Sequence, residues 1–424
     1  MPIKNKWVKR ISRKFFSSIQ YVITIPISIF LFIVFPIYKV KFVKLFSDRI
    51  GHYALNTELM LCTLDNNPPH KNEKYFFYTS SSLSPICNKQ LHLMWKRTLQ
   101  ILPFPDFVFK VDKILGFLLG SKYKKDRIKS TFEPTQGVND IDGFLEKEGC
   151  SHLVFTQEER IHGENLIAKL GMPAGARFVC LIIRDANYLA QYLPGIDWSH
   201  HYFRNANVEN YKEAAVFLAE KGYYVVRMGK FVANKFQSDH PMIIDYANSP
   251  LQSDFMDIYL PSRCYFFITT STGLDCVAQV FRRPGIFTNV VLPSELHTWY
   301  PNILFIPKRI KNKKSDEILT FRQIYEVMFS QWPKKPMIEI LKQSDLDVIE
   351  NSAEDILEIV KEGEALITNH WAETEEDQDQ ELQQQFWKNF PSDLIEADGR
   401  RIYAKEIKIK IGNNFLKKYS SLFN

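Results

Sequence analysis

Short apolar runs alternate with amphipathic stretches between Phe178 and Pro307. The amphipathic stretches NVENYKEAAVFLAEKG, SDFMDIYLPS and STGLDCVAQVF have helical spacing, with Gly222 as a C-cap and Ser253 as an N-cap. Buried strands are predicted for the apolar runs FVCLIIR, YYVVRMG, MIIDYA, YFFITT, GIFTNVV and ILFIP. Such alternation predicts a doubly wound α/β domain with a parallel sheet and right-handed crossovers.

The flanking regions are less regular. Before the regular domain we expect helical SDRIGHYALNTELML, the strand KYFFYTS and the amphipathic helix LHLMWKRTLQIL. The polar stretch from Thr131 to Gly171 is predicted to connect two domains. After Lys308 the chain is charged and helical in pattern. We expect ETEEDQDQELQQQF to be a solvated helix face and IGNNFLKKYSSLF to pack back on the core. We therefore expect four regions: an N-terminal segment (1–45), a first α/β domain with its connection (46–170), the regular α/β domain (171–330) and a helical C-terminal extension (331–424).

No charged side chain occurs from Phe15 to Tyr38, a length sufficient for the roughly 20 residues that cross a bilayer. No small-residue cleavage site follows, which disfavours a signal peptide. Pro26 and Pro36 favour a shallow or re-entrant element over a straight spanning helix, and the basic residues on both flanks leave the orientation open. We expect residues 1–45 to be membrane-associated; an apolar core helix is the alternative.

Composition narrows the class of protein. With 424 residues and 45% hydrophobic residues, the chain has room for two or three domains. The net charge of +6 is modest and does not indicate a nucleic-acid partner. The six cysteines form no CxxC pair, so we expect buried free thiols in a reducing compartment, at Cys62, Cys87, Cys150, Cys180, Cys264 and Cys276.

Candidate ligand-binding residues follow the predicted strands, because ligands of open parallel sheets sit outside the carboxyl ends of the strands. The first strand ends in Arg184-Asp185, and the second in Arg227-Met228-Gly229-Lys230. The third ends near Asp245, and the fourth in TTSTG, which includes Ser271, Thr272 and Gly273. Guanidinium groups, hydroxyls and accessible backbone suit a phosphate-bearing ligand.

The TTSTG turn carries the strongest signal. Unpaired N–H groups at a helix start bind anions, and Gly273 permits close approach of a ligand. The alternative is an ordinary N-cap by Ser271 or Thr272.

A second candidate lies in HHYFRNANVENY, after the first strand. Arg204 with Asn205 is placed to bind a diphosphate on one rim with Arg184 and Arg227, a surface salt bridge being the alternative. His200-His201 lacks a third metal ligand at a suitable spacing. We expect no metal, since the Asp-x-Asp pairs lie in polar or helical stretches: Asp140/Asp142, Asp345/Asp347 and Asp377/Asp379.

The first α/β region adds Arg49, Gly51 and His52 on the side where an acceptor would bind. A histidine has a pKa near neutrality, so His52 is a candidate general base. A capping or packed histidine is an equal alternative.

These segments resemble a poorly characterised bacterial family of surface-polysaccharide glycosyltransferases. The resemblance rests on RIGHYALNTEL, FVCLIIRDANYL, HHYFRNANVENY, GYYVVRMGK, FFITTSTGLD and FLKKYSSL. It implies a GT-B architecture: two Rossmann-like domains face each other across a cleft, and the second binds a nucleotide-sugar. The tyrosine-arginine-asparagine motif of the family appears as Tyr202-Phe203-Arg204-Asn205, with one phenylalanine inserted.

The expected function is metal-independent transfer of a sugar from a nucleotide-sugar to a glycan or lipid-linked acceptor, at the cytoplasmic side of the bacterial inner membrane. The nucleotide-sugar is the substrate and no further cofactor is expected. The arginines and the Ser271–Gly273 helix start would stabilise the leaving diphosphate, and His52 or Asp185 would accept the proton. One rival is a nucleotide-sugar epimerase, which needs neither membrane nor acceptor. Another is a catalytically silent membrane scaffold, which would bind no nucleotide.

Overall fold

The chain divides after Val138 into two units, 1–138 and 139–424. The structure is a computed structural model that describes residues 21–120, 123, 140, 143–147, 149, 151–192, 195, 197–292, 300–332, 334–369, 377–390 and 407–423. Each unit is considered separately below.

Unit 1 holds two parallel strands with helices beside them. Its elements are α1 (residues 21–34), β1 (Lys39–Lys44), a π-helical turn (His52–Asn56) running into α2 (Thr57–Asn66), β2 (Glu73–Tyr78), α3 (Lys89–Thr98) and α4 (Pro105–Leu119). Strands β1 and β2 pair in parallel, and Phe77 forms a further parallel bridge to Ile101. The strand and helices predicted for this region are confirmed.

One segment differs from its expectation. Lys39–Lys44, which the sequence assigns to the membrane-associated stretch, forms β1. Its apolar side chains Phe42 and Val43 are buried. The lysines at positions 39 and 41 pair with the Glu73 carboxylate at 3.2 and 3.3 Å. A charge partner on the neighbouring strand therefore lets this lysine-rich segment enter the sheet.

Unit 2 contains a seven-stranded, wholly parallel sheet. Its strands are β3 (Phe178–Ile182), β4 (Tyr224–Arg227), β5 (Ile243–Ile244), β6 (Phe266–Thr269), β7 (Gly285–Val290), β8 (Ile303–Pro307) and, after two strands of another sheet, β11 (Lys410–Ile411). The strand order is β11-β8-β7-β6-β3-β4-β5. Starting at β3, the chain adds β4 and β5 on one side and then returns to place β6 on the other. This is the doubly wound order with a switch point between β3 and β6.

Helices connect these strands. They are α5 (Phe144–Lys147), α6 (Gln157–Lys169), α7 (Ala186–Tyr192), α8 (Lys212–Glu220), α9 (Met256–Arg263), α10 (Asp275–Val280), α11 (Phe321–Ile324), α12 (Met337–Gln343), α13 (Ala353–Thr368), α14 (Asp377–Lys388) and α15 (Asn413–Lys418). The α/β class, the parallel sheet and every strand predicted between Phe178 and Pro307 are confirmed.

Within the stretch predicted to connect two domains, α6 is a regular helix of unit 2. Thr156 and Glu159 form a reciprocal capping box at its start. Gly163 lets the helix approach Tyr259 of α9, since a Cβ at this glycine would lie 2.2 Å from the tyrosine ring. Tyr259 also donates a hydrogen bond to Glu164 at 2.8 Å.

The region after Lys308 is more than the charged helical extension that its sequence predicts. Strands β9 (Arg309–Asn312) and β10 (Leu346–Ile349) form an antiparallel pair, and β11 extends the main sheet beside β8. Helix α14 is acidic and Gln-rich in sequence, yet its residue Phe386 is fully buried. The closing residues pack on the core as predicted, because Ile411 and Leu416 are buried.

Two further expectations concern the whole chain. The five cysteines among the described residues are buried free thiols, whereas Cys150 lies outside those residues. None of the helices in the described ranges has both the length and the hydrophobicity needed to cross a membrane.

Candidate functional site at the strand ends

The switch point brings the ends of β3 and β6 together. The Arg184 backbone N–H donates to Thr270 Oγ1 at 2.8 Å, so the two turns that leave these strands are directly bonded. Thr270 is fully buried, whereas Arg184 is half-buried at the edge. In doubly wound proteins this edge is where the ligand crevice forms.

The turn after β6 has an unusual backbone. Ser271 is buried and has a φ of 55°, in the left-handed region that costs a non-glycine residue roughly 1–2 kcal/mol. Its carbonyl oxygen accepts a hydrogen bond from Arg204 Nη2 at 2.8 Å. The Arg204 guanidinium is thereby held against the TTSTG turn.

A buried carboxylate stabilises the same turn from within. Asp275 Oδ2 accepts hydrogen bonds from Thr269 Oγ1 and from the Thr272 backbone N–H, both at 2.9 Å. Burial raises the pKa of Asp275 to about 6, although these hydrogen bonds and the nearby Arg204 charge act in the opposite direction. Helix α10 begins only at Asp275, with Leu274 as its N-cap residue and no side-chain cap, so neither a helix start at Ser271–Gly273 nor an N-cap by Ser271 or Thr272 is found. Thr272 Oγ1 instead accepts a hydrogen bond from the Leu274 N–H at 3.2 Å.

Asp185 joins two loops at this edge. Its Oδ1 accepts from the Asn187 N–H at 2.8 Å, and its Oδ2 accepts from the Ala233 N–H in the loop after β4 at 2.7 Å. Both carboxylate oxygens therefore have backbone donors. This arrangement gives Asp185 a loop-positioning role beside the catalytic role that its sequence position suggested.

Arg227 does not lie on the open rim expected from the sequence. Its side chain is 2% exposed, and Nη1 lies 3.2 Å from Asp245 Oδ1. Asp245 Oδ2 accepts further hydrogen bonds from the Phe236 N–H and from Asn248. The guanidinium is thus part of the scaffold under the loop after β4. In that loop Gly229 has a φ of 149°, and a Cβ there would lie 2.7 Å from Val232 Cγ1.

Sequence reasoning missed Lys308, which follows β8 and is 3% exposed. Its Nζ donates to the Asn205 carbonyl oxygen at 2.7 Å, so this ammonium lies next to the Arg204 backbone. Asn205 thereby enters the site through its main chain. The strand-end rule that identified Arg184 identifies Lys308 as well once it is applied to β8.

The end of β7 is held by a buried polar network that the sequence also did not reveal. Tyr211 O–H shares a hydrogen bond of 2.7 Å with Thr288 Oγ1 and accepts one from Asn289 at 2.9 Å. Asn289 and Asn351 exchange backbone-to-side-chain hydrogen bonds at 2.6 and 2.8 Å. Burial raises the pKa of Tyr211 well above its usual value, so the phenol stays protonated.

Aromatic side chains lie on the connections that follow β3 and β4, including helix α7. Tyr188 and Tyr192 stack with ring centroids 5.4 Å apart, and Tyr188 stacks on Phe231 at 6.4 Å. His200 and His201 contact each other and Trp198, and His200 Nδ1 bonds to the Asp197 carbonyl oxygen. The two histidines therefore take part in a ring cluster.

Three of the predicted site residues belong to unit 1. His52 begins the π-helical turn, where such turns often mark functional positions. Its Nδ1 lies 3.4 Å from Asn56 Oδ1, and its ring contacts Phe46. Burial, with a smaller effect of Arg49, lowers the pKa of His52, so the imidazole is neutral at pH 7. Arg49 is exposed, and Gly51 is buried at the start of the turn.

No protein-family model matches the chain, and no curated protein matches it significantly. Solved structures similar to it include the glycosyl transferase family 9 protein from Veillonella parvula DSM 2008, with 12% identity and a TM-score of 0.43 over 78% of this chain and 98% of that one. The E. coli ADP-heptose LPS heptosyltransferase II has 12% identity and a TM-score of 0.36, over 78% and 100%. A Listeria monocytogenes protein assigned as a UDP-N-acetylglucosamine 2-epimerase has 10% identity and a TM-score of 0.30, over 80% and 98%. At these identities and scores the likeness identifies no function for this chain.

Proposed function

We propose that the protein transfers a sugar from a nucleotide-sugar donor to a glycan or lipid-linked acceptor. The observation that carries the proposal is the group of cationic side chains at the switch point of unit 2. Arg204 is bonded to the Ser271 carbonyl, Lys308 to the Asn205 carbonyl, and Arg184 begins the turn bonded to Thr270. Fixed cations beside hydroxyl-bearing turns suit a diphosphate at the edge where doubly wound sheets bind nucleotides.

The chemistry of transfer follows from this charge arrangement. When the bond between the anomeric carbon and the diphosphate oxygen breaks, negative charge develops on the leaving diphosphate. Arg204 would stabilise that charge directly, and the buried Lys308 ammonium would add a positive field beside it. Both groups are already fixed by the fold, so little reorganisation is needed during the reaction. In this proposal the side chains supply the charge stabilisation and no metal ion is required.

The acceptor hydroxyl must lose its proton as it attacks the sugar. We assign that role to His52, because burial keeps its imidazole neutral and therefore able to accept a proton at pH 7. This assignment supposes the GT-B architecture implied by the family resemblance. Asp185 is the less suitable base, since both of its oxygens already accept backbone hydrogen bonds.

The same proposal includes a lipid-linked or surface-polysaccharide acceptor. It also places the protein on the cytoplasmic side of the bacterial inner membrane. Both are supported by the charge-free stretch from Phe15 to Tyr38 and the basic residues that flank it.

The test is nucleotide binding by the full chain. A ligand that binds only the folded state raises the melting temperature, so a panel of nucleoside diphosphates and nucleotide-sugars is screened by thermal shift and the best ligand measured by calorimetry. Lys308→Met, which keeps the length of the side chain and removes its charge, is expected to weaken binding about tenfold, because the positive field at the site falls and the Asn205 carbonyl beside Arg204 loses its charged donor. Arg322→Met, at an exposed ion pair with Glu326, is the matched control and binds as the parent does.

Two results would contradict the proposal. If no nucleotide raises the melting temperature, the strand-end cations serve another ligand or none, as the scaffold alternative requires. If the protein interconverts a nucleotide-sugar in the absence of any acceptor, seen by NMR of the sugar protons, it is an epimerase.

A further inference from the structure

Helix α1 turns its polar side chains inward and its apolar side chains outward. Thr24 and Ser28 are fully buried. Phe30 and Ile33 are 64% and 66% exposed, and other large apolar side chains of the helix are exposed as well: Tyr21, Val22, Ile23, Ile25, Ile27, Ile29 and Phe32. A helix on the surface of a water-soluble protein shows the opposite distribution.

The inward face is fixed by packing. Thr24, Ser28, Leu31 and Phe35 follow one another at helical spacing, and the last two belong to the apolar core of unit 1. Ser28 Oγ donates to the Thr24 carbonyl oxygen at 2.7 Å and lies 3.4 Å from the Val111 carbonyl oxygen of α4. The buried hydroxyl of Ser28 therefore has hydrogen-bond partners. The packing of the inward face against the core of unit 1 fixes which side chains of α1 point outward.

Helix α4, which contacts α1 at Val111, also exposes large apolar side chains. Phe117 is 85% exposed, Phe109 46% and Leu118 36%. Phe109, Lys113 and Phe117 are four residues apart, so they form one outward stripe of α4. We call the outward faces of α1 and α4 the apolar surface of unit 1. Large exposed apolar areas mark interaction sites.

Cations predominate around this surface, although Asp106 in the first turn of α4 is an acidic neighbour of Lys110. Residues 1–47 contain no aspartate or glutamate. Lys110 Nζ lies 4.6 Å from the centre of the Tyr21 ring, and Lys113 is exposed between the two phenylalanines of α4. In sequence, α1 is preceded by Lys4, Lys6, Lys9, Arg10, Arg13 and Lys14. Such cations attract anionic headgroups, whereas a second copy of the same surface would place cation against cation.

We propose that an anionic phospholipid bilayer covers the apolar surface of unit 1, with the side chains of both α1 and α4 inserted among the lipids. Interfacial elements bury an apolar face at the boundary of headgroups and acyl chains and keep lysines at the headgroups. The inference extends the membrane association proposed from the charge-free stretch Phe15 to Tyr38 to a second element, and it rests on no part of the nucleotide site.

The test uses the full chain and vesicles of phosphatidylcholine and phosphatidylglycerol at 7:3, with pure phosphatidylcholine for comparison. Sedimentation measures the partition of the protein. The double variant Phe109→Ser/Phe117→Ser is expected to bind about tenfold or more weakly, because two exposed aromatic side chains no longer enter the lipid. The control is Leu93→Ser, since this leucine is 49% exposed on α3 and is not part of the apolar surface of unit 1 as defined above. It binds as the parent does.

A second pair of variants tests the orientation of α1. Ile29→Ser weakens binding, whereas Ser28→Ala leaves it unchanged because position 28 faces the core. If α1 partitioned without this packing, Ser28→Ala would strengthen binding through its added hydrophobicity. Near-UV circular dichroism confirms that each variant retains the fold.

Several outcomes overturn the inference. Parent-like vesicle binding by the phenylalanine variant removes α4 from the lipid contact. Failure of the parent to bind anionic vesicles shows that something else covers the surface, such as residues 1–20. A lipid-free dimer that Phe109→Ser/Phe117→Ser dissociates identifies a second copy as the partner. Nucleotide affinity, measured on the same variants, stays at the parental value whatever the vesicle result, so the two proposals fail separately.

Discussion

The Arg204 guanidinium holds the backbone of Ser271 through a hydrogen bond of 2.8 Å from Nη2 to the carbonyl oxygen. The two residues are 67 positions apart in sequence. Ser271 has a left-handed backbone, and Arg204 comes from the loop that follows β3. This hydrogen bond therefore joins the segment that follows β3 to the turn that follows β6. It places a cation where a diphosphate is proposed to bind.

Removing this cation is expected to affect stability and binding together. Arg204→Ala deprives the buried Ser271 carbonyl of a charged donor, so the free energy of unfolding falls by about 1.5–3 kcal/mol. Nucleotide affinity falls about tenfold, because the diphosphate also loses a charge-assisted hydrogen bond from Arg204. Arg204→Lys keeps the charge but loses the planar fork and has intermediate affinity. Denaturant unfolding and calorimetry measure both quantities; parental stability in Arg204→Ala would show that the bond is dispensable.

The left-handed backbone at Ser271 predicts a gain in stability from glycine. Ser271→Gly is expected to be about 1 kcal/mol more stable than Ser271→Ala, because both lack the hydroxyl and only glycine avoids the steric cost at a φ of 55°. If the hydroxyl contacts a phosphate, both variants lose nucleotide affinity equally. Equal melting temperatures for the two variants would contradict the strained backbone.

Arg227 is expected to behave as a scaffold residue. Arg227→Met leaves Asp245 without its ion-pair partner in a largely buried setting, so we expect a loss of about 3 kcal/mol in the free energy of unfolding. Nucleotide affinity of the folded variant stays near the parental value. Arg227→Met/Asp245→Asn, which removes both charges, recovers part of the stability. A selective loss of affinity at an unchanged melting temperature would return Arg227 to the ligand site.

The buried carboxyl of Asp275 predicts a pH-dependent stability. Its pKa is raised from the usual 3.8 to about 6, so between these values the folded state binds a proton that the unfolded state releases. The contribution of Asp275 is therefore fully present below pH 4 and is lost as the pH rises to about 6. The free energy of unfolding that Asp275 contributes changes by about 3 kcal/mol over this pH range.

Asp275→Asn removes this titration. The free energy of unfolding of the variant, relative to the parent, should rise by about that amount between pH 4 and pH 7. Urea unfolding across this range measures it, with Asp239→Asn as a control at an exposed position. A difference that stays constant with pH would mean that Asp275 is not buried in the folded protein in solution.

Local patterns in the chain were sufficient for most of the architecture. Each apolar run between Phe178 and Pro307 forms its predicted strand, because a strand covered on both faces needs continuous apolar side chains. The patterns also located Arg184, Arg204 and Ser271 near one edge, because parallel strands end on the same side of a sheet. They also predicted the buried free thiols at the five described cysteines. Strand formation and the position of a residue after a strand depend on residues close together in sequence. The periodicity of the chain therefore reveals them.

Only the tertiary structure decided which neighbours each side chain meets. The strand order placed β3 beside β6 and so bonded Arg184 to Thr270, which no periodicity specifies. Arg227 and Arg184 have the same sequence context at strand ends, yet Asp245 draws the first into a buried pair. Lys308 and the inward hydroxyls of α1 are similar cases. Burial and pairing depend on residues far away in sequence, and the hydrogen-bonding needs of a buried polar group are met by whatever the fold brings to it.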